Sequence, residues 1–280
     1  MKRKGRGLAP RKSLLLIPVV LAAVWCMIPL YVMVVGALKP AAALSVIPAD
    51  LNPLQNLRWD NFEKVIRKAG MDRAFLNSVF VSLGTCLLTV FVGITGGYAF
   101  AKRSFAGKRV WFVILLVTMM LPSQVMMIPR YVVAKNLHLT NKLYGVMLTT
   151  INGGYAIFLC RQFIRGIPDE LLDAGRLDGC SEMRNFFHIV IPMSTLVMAS
   201  LAIFTFISSW NDFVWQNIML SGKDVRTVPL ALAFLSENPD ANSLALQFAG
   251  ATVSSIPMIV MFLCFQKYFV KGISGGAVKE

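Results

Sequence analysis

The chain has 280 residues, 56% hydrophobic and only 15% charged, with a formal net charge of +14. Soluble domains carry about 25% charged residues, so this balance argues against one and points to lipid as the solvent for much of the chain. The positive excess does not indicate nucleic acid, because no basic stripe is interleaved with aromatics. Basic residues also gather in the cytoplasmic loops of membrane proteins.

In chain order, residues 1–12 hold Lys2, Arg3, Lys4, Arg6, Arg11 and Lys12 and read as a basic cytoplasmic N-terminus. The apolar run Ser13–Leu38 follows. It is longer than the roughly 7–15 residues of a signal-peptide core, so it is predicted to be an uncleaved first membrane helix, although Ala41-Ala42-Ala43 resembles a cleavage site. The long outer loop Lys39–Arg73 runs into an amphipathic stretch, Trp59–Asn77, expected to lie at the outer interface. Further windows without Asp, Glu, Lys or Arg are Ala74–Ala101, Val110–Pro129, Leu143–Cys160, Asn185–Asn211 and Ala241–Gln266. At about 1.5 Å per residue each approaches or exceeds a hydrocarbon core of about 30 Å.

The expectation is an all-α integral membrane protein with six transmembrane helices, at about 13–38, 75–100, 110–129, 143–163, 193–213 and 244–266. These make a single domain over 13–280 with a cytoplasmic loop at 164–192. Both termini are then cytoplasmic, and the segments so placed inside hold more than half of the 28 Lys and Arg residues.

Thr85, Thr89, Gly93, Gly97 and Ala101 recur every four residues, a small face for close helix packing. Pro18, Pro29, Pro122, Pro129 and Pro257 are expected to kink or end helices. Asn152-Gly153-Gly154 interrupts the fourth span, either for helix packing or to line a path. Four of the five cysteines sit in apolar windows and none forms C-x-x-C, so they read as packing residues. His138 and His188 lack ligand partners at metal spacing, and no metal site is expected. There is no G-x-x-x-x-G-K-[ST], no H-E-x-x-H, no nucleophile elbow and no paired carboxylate in a span. No enzyme activity is expected, and no cofactor in this chain.

Nine charged residues cluster between Arg161 and Arg184. Pro168 suits a first helical turn, and Asp169 and Glu170 complement the positive end of its dipole. Gly179 suits the helix end and Ser181 can cap a second helix carrying Phe186, Phe187, Ile189 and Val190 toward Pro192. A helical hairpin with a charged first half and an aromatic second half suits docking on another protein.

These residues carry a resemblance. Ala174, Asp178, Gly179, Phe187, Ile189 and Pro192 keep the pattern of the EAA loop of ABC importer permeases, the binding-protein-dependent transport family with the MetI-like permease fold. Asp173, Gly175 and Cys180 depart from it. Trp210-Asn211-Asp212-Phe213, Arg226-Thr227-Val228-Pro229-Leu230, Gln266–Ile273 and Gly276-Ala277-Val278-Lys279 are similar to the carbohydrate branch, in particular its MalG-like subunits. The resemblance implies that Asp169, Glu170, Asp173, Ala174, Gly175, Asp178, Gly179, Phe186, Phe187 and Pro192 form a coupling loop seated in a separate ATPase subunit, which holds ATP and Mg. It further implies a second, homologous permease subunit as heterodimer partner, a dimer of ATPase subunits, an extracytoplasmic solute-binding protein and a place in the bacterial cytoplasmic membrane. The expected role is sugar or oligosaccharide import.

A sugar path needs hydrogen-bonding groups and stacking faces. Asn152, Tyr155, Ser208, Ser209, Trp210, Asn211 and Gln247 are the candidates, each also able to serve as an interhelical bond or interfacial anchor. Anion uptake would favour a basic residue lining the path, and none is visible in a span. A sugar-phosphate or glycerol-phosphate importer is the alternative within the family. A secondary sugar transporter and a non-transporting membrane scaffold are the alternatives outside it, but no internal repeat or buried midplane charge supports the former.

Overall fold

The computed structural model describes residues 10–46, 49–68, 70–237 and 243–274. Lys2, Arg3, Lys4 and Arg6 of the basic N-terminus and Gly276–Lys279 lie outside the described residues. Among those described, the structure is helical with no strand. The main helices are α1 (Pro10–Ala37), α2 (Met71–Lys102), α3 (Lys108–Met120), α4 (Met127–Asn136), α5 (Leu143–Thr150), α6 (Gly153–Ile164), α7 (Asp169–Leu177), α8 (Glu182–Met193), α9 (Thr195–Trp210), α10 (Val214–Met219), α11 (Val228–Glu237) and α12 (Leu244–Ser274).

Three stretches are long and apolar enough to cross a membrane: Leu16–Ala37, Met71–Lys102 and Leu244–Gln266. Two further helix pairs reach that length and apolarity only when joined across a sharp bend, α5 with α6 at 49° and α8 with α9 at 71°. The expected span 110–129 is not one helix. Leu121 is extended (φ −75°, ψ 125°) before Pro122, as the residue before a proline must avoid the helical region, and α4 starts only at Met127. Pro129 is tolerated in the first turn of α4, where its missing N–H has no helical partner to lose. Pro18, Pro29 and Pro257 lie inside continuous helices instead of ending them. The amphipathic stretch 59–77 is likewise broken: Gly70 takes φ +72° and α2 begins at Met71.

The chain clusters into two compact units, one of residues 1–70 with 234–255 and one of 71–233 with 256–280. In the first, a Cβ on Gly36 would fall 2.4 Å from the Phe248 ring, so this glycine lets α1 and the start of α12 touch. Lys39 is fully buried, its ammonium donating to Asp50 at 3.3 Å and to the Gln55 carbonyl at 2.8 Å. A buried ammonium needs such partners, because an unpaired one would lose its hydration without compensation.

In the second unit, α2 packs along α6 and α9 through the small-residue face seen in the sequence. A Cβ on Gly97 would stand 2.6 Å from the Cys160 Cβ, and one on Gly93 3.0 Å from the Ala156 Cβ. Without hydrophobic drive between lipid-solvated helices, such close backbone approach is the main source of attraction. One core cluster joins α2, α6, α7, α8 and α9 through Ile94, Tyr98, Cys160, Ile164, Leu172, Phe186, Val190 and Leu201. The hairpin is therefore continuous with the helix bundle of this unit.

Candidate functional site

The hairpin is built by local rules. Pro168 stands one place before the helix, with ψ 136°, and Asp169 and Glu170 open α7. Gly179 takes φ +79°. Its N–H donates to the Arg176 carbonyl at 3.0 Å, and the Cys180 N–H reaches the Gly175 carbonyl at 2.8 Å. This is a Schellman ending, in which a left-handed glycine satisfies the last carbonyls. Ser181 Oγ accepts from the Arg184 N–H at 3.3 Å and caps α8. The middle of α8, Phe186–Val190, is wound as a π-helix.

Charge ties the hairpin to the end of α2, a connection that the sequence reading missed. Lys102 Nζ donates to Asp169 Oδ1 at 2.8 Å and to the Ile167 carbonyl, and its own side chain is only 6% exposed. Arg103 and Arg176 both reach Glu182 Oε1 at 2.9 Å, and Tyr98 donates to Oε2 at 3.1 Å. Arg176 also pairs with Asp173. The Arg176 hydrogen bond, then those of Arg103 and Tyr98, holds the Glu182 carboxyl below the usual glutamate range. The Lys102 hydrogen bond does the same for Asp169. The available signal was the pair of basic residues, Lys102 and Arg103, directly after an apolar window.

The aromatic pair divides. Phe186 is 6% exposed, with its ring centroid 5.2 Å from that of Tyr98, so it anchors the hairpin to its own bundle. Phe187 is 54% exposed, and Leu177 and Met183 are exposed with it. Phe187 is thus the aromatic available to a partner, and Phe186 is not. Asp178 is exposed at the end of α7, and among the described residues no hydrogen bond holds its carboxylate; the turn is shaped by Gly179 and its amide bonds. Ala174 is exposed on α7, and Pro192 is exposed near the end of α8.

Gly175 acquires a reason in three dimensions. A Cβ there would stand 2.3 Å from Asn185 Oδ1. Asn185, 1% exposed, packs against this glycine and donates to the Leu172 carbonyl at 3.0 Å. The helix-weakening glycine is the contact point of the hairpin's two arms.

The second assembly is a cavity of about 310 Å³ walled by α2, α4, α5, α6, α9 and α10. Asn152, Tyr155, Ser208 and Ser209 line it. The other three path candidates do not. Trp210 is 1% exposed and stacked on Phe206 at 5.8 Å, with Phe75 edge-on at 5.6 Å. Asn211 Nδ2 turns back to the Ile207 carbonyl at 2.9 Å. Gln247 belongs to the first unit. Thr85 and Thr89, read only as packing residues, border the cavity.

The cavity also holds charge, against the expectation that no basic residue would face such a path. Arg130 and Asp212 both line it. The Arg130 guanidinium lies 3.9 Å over the Trp215 ring and donates to the Thr149 carbonyl at 3.1 Å. Trp215 Nε1 donates to Thr149 Oγ1 at 3.0 Å, and the Trp215 N–H to Asp212 Oδ1 at 3.1 Å. Arg130 directly follows the Val110–Pro129 window, and Asp212 is the only carboxylate between Glu182 and Asp224. Charges at window edges were the signal, obscured because the break at Pro122 turns Arg130 inward.

Apolar helices of membrane-crossing length, a charged helical hairpin clamped to α2 and a polar cavity between α2 and the shorter helices packed on it define a polytopic membrane transport subunit with the MetI-like permease fold. The family of binding-protein-dependent transport system inner membrane components matches residues 90–275, and the chain belongs to that family. It is 34% identical over 254 residues to the arabinooligosaccharides transport system permease protein AraQ of Bacillus subtilis, covering 90% of both chains. It is 31% identical over 281 residues to the melibiose/raffinose/stachyose import permease protein MelC of the same organism, covering 97% of this chain and 99% of that one. With the sn-glycerol-3-phosphate transport system permease protein UgpE of Pectobacterium atrosepticum it shares 30% over 275 residues and 96% of each chain. The fold is also that of a chain in a bacterial ABC transporter involved in import of the acidic polysaccharide alginate. The TM-score is 0.79 at 20% identity, over 95% of this chain and all of that one.

Proposed function

We propose that this chain is one of two different membrane subunits of an ATP-driven importer that carries a sugar or oligosaccharide across the bacterial cytoplasmic membrane. A separate pair of ATPase subunits holds ATP and Mg, and an extracytoplasmic binding protein delivers the solute. The hairpin 169–187 faces the cytoplasm and receives the push of the closing ATPase dimer. Six crossings, with both termini inside, fit this placement if α3 and α4 together complete the third. Carbohydrate is favoured by the sugars for which the relatives AraQ and MelC are named.

The observation that carries the coupling role is the clamp of Lys102 on Asp169 and of Arg103 on Glu182. Force applied to the exposed Phe187, Leu177 and Met183 would pass into α2 as a rigid-body movement, because the hairpin shares a core with that helix. The test is to isolate the subunit with its partners and to measure uptake. Wild type should bring down an ATPase and a second permease. Gly179→Val, which forces a β-branched residue into a left-handed position, should lose both ATPase association and uptake. Full uptake with normal assembly would sink the coupling role, and transport by this chain alone would indicate a secondary carrier.

A further inference from the structure

The start of α3 and the end of α6 gather positive charge that no carboxylate meets. The two helices run side by side. A Cβ on Gly154, at the start of α6, would stand 3.1 Å from the Met119 side chain near the end of α3. At the other end, the Arg161 guanidinium of α6 lies 4.0 Å over the Phe112 ring of α3. The pair is therefore antiparallel. Lys108 and Arg109 precede Phe112 by four and three residues, one turn away on its side of the helix. Arg165 follows Arg161 by one turn, its N–H donating to the Arg161 carbonyl at 3.0 Å.

Among the described residues, none of Lys108, Arg109, Arg161 and Arg165 forms an ion pair. Asp169 and Glu182 of the hairpin are committed to Lys102, Arg103 and Arg176. Like charges one helical turn apart repel, so Arg161 and Arg165 weaken the end of α6 unless an anion sits beside them. Arg161 is also held in place. Its Nε donates to the Phe100 carbonyl at 3.1 Å, and the Phe100 ring stands 5.6 Å from that of Phe112. Its two terminal nitrogens have no hydrogen-bond partner among the described residues. A fixed guanidinium with free N–H groups suits the oxygens of a phosphate.

The depth of the patch sets the source of that phosphate. The charge-free window Val110–Pro129 begins directly after Arg109, and Leu143–Cys160 ends directly before Arg161. The four basic residues thus stand where apolar chain gives way to water. Arg109 heads a helical stripe whose next members, Val113 and Val117, are exposed, and the exposed Trp111 is of a type enriched at that boundary. Free phosphate or an acidic protein segment would use the charges and leave the apolar stripe bare. A phospholipid uses both.

We infer that the corner of α3 and α6 binds an acidic phospholipid of the cytoplasmic leaflet. Arg109, Arg161 and Arg165 hold its phosphate, Lys108 stands at the edge, and its acyl chains lie along Val113 and Val117. The site rests on the import reading above for its leaflet and adds the lipid that this subunit selects.

The test uses the complete importer, with all partner subunits, purified in mild detergent and offered phosphatidylglycerol or phosphatidylcholine of matched chain length. Native mass spectrometry counts the lipids retained. Wild type should prefer phosphatidylglycerol. Arg109→Gln with Arg165→Gln removes two exposed charges that have no protein partner. This pair should weaken phosphatidylglycerol retention roughly 25-fold, about fivefold for each basic residue lost at an anionic surface. Phosphatidylcholine retention and ATPase co-purification should not change. Lys135→Gln with Lys142→Gln removes the same charge elsewhere and should leave the preference intact. Equal retention of the two lipids by wild type, or an unchanged preference in the arginine pair, overturns the site and leaves the import reading standing. Loss of the ATPase from the arginine pair with the lipid preference kept assigns the patch to a protein partner and overturns the site too. An equal loss of preference in the lysine pair reduces the effect to net charge and does the same. A wild-type complex without an ATPase sinks the import reading alone, and a preference lost only in the arginine pair would still support the lipid site.

Discussion

Lys102 and Asp169 stand 67 residues apart in the chain and meet at 2.8 Å, joining the last turn of α2 to the first turn of α7. The lysine is nearly buried and the aspartate largely exposed, so the two ends of this bond are unequal. Lys102→Met should loosen the hairpin more than Asp169→Asn does, because the lysine also holds the Ile167 carbonyl. Amide exchange over 165–180 checks this. Equal protection in the two variants would mean that the bond contributes little.

Phe186 and Phe187 are adjacent but should respond differently. Phe186→Ala empties a buried site beside Tyr98 and should destabilise the subunit by about 3–5 kcal/mol. Phe187→Ala should leave thermal unfolding nearly unchanged while weakening co-purification of the ATPase. A reversal of the two effects would place the docking aromatic on the wrong side of the helix.

Gly175→Ala sets helix propensity against packing. Alanine favours the helix by about 1 kcal/mol, but its Cβ would overlap Asn185. The expected outcome is net destabilisation of about 1–3 kcal/mol, the usual range for overpacking. Adding Asn185→Ala should recover part of it, a non-additivity measurable by a double-mutant cycle in thermal unfolding.

The hairpin should loosen in acid. Glu182 is held below its ordinary value of 4.5 by Arg176, Arg103 and Tyr98. A carboxyl depressed in the folded state contributes stability that is fully present above that ordinary value and is lost as pH falls through the lowered one. Exchange of the 169–187 amides should therefore rise below about pH 4.5. Glu182→Gln should flatten the part of this profile that comes from the cluster at the end of α2. An unchanged profile in that variant would move the acid sensitivity to Asp169.

The hairpin was legible because its determinants are local. Helix punctuation at Pro168, Gly179 and Ser181 acts over two or three residues, and the conformations found there follow it. The third span was misread because the charge-free window Val110–Pro129 measures lipid compatibility, whereas helix continuity is set by one residue, Pro122. Trp210 was chosen as a path residue for its amphipathic ring, but Phe206 and Phe75 bury it. Sequence shows what a side chain can do; which neighbour uses it depends on residues far along the chain.

By itself, then, the sequence determined the solvent of the chain, the small-residue face of α2 and the two arms and sharp turn of the hairpin. Charge spacing and backbone preference act within a few residues of one another and leave a direct trace. Only the tertiary structure decided that Lys102 and Arg103 clamp the hairpin, that Gly175 admits Asn185 and that Arg130 shares a cavity with Asp212. These relationships arise when helices distant in sequence pack face to face. The same small residues then serve packing at Gly97 and a polar wall at Thr89, according to what lies opposite each.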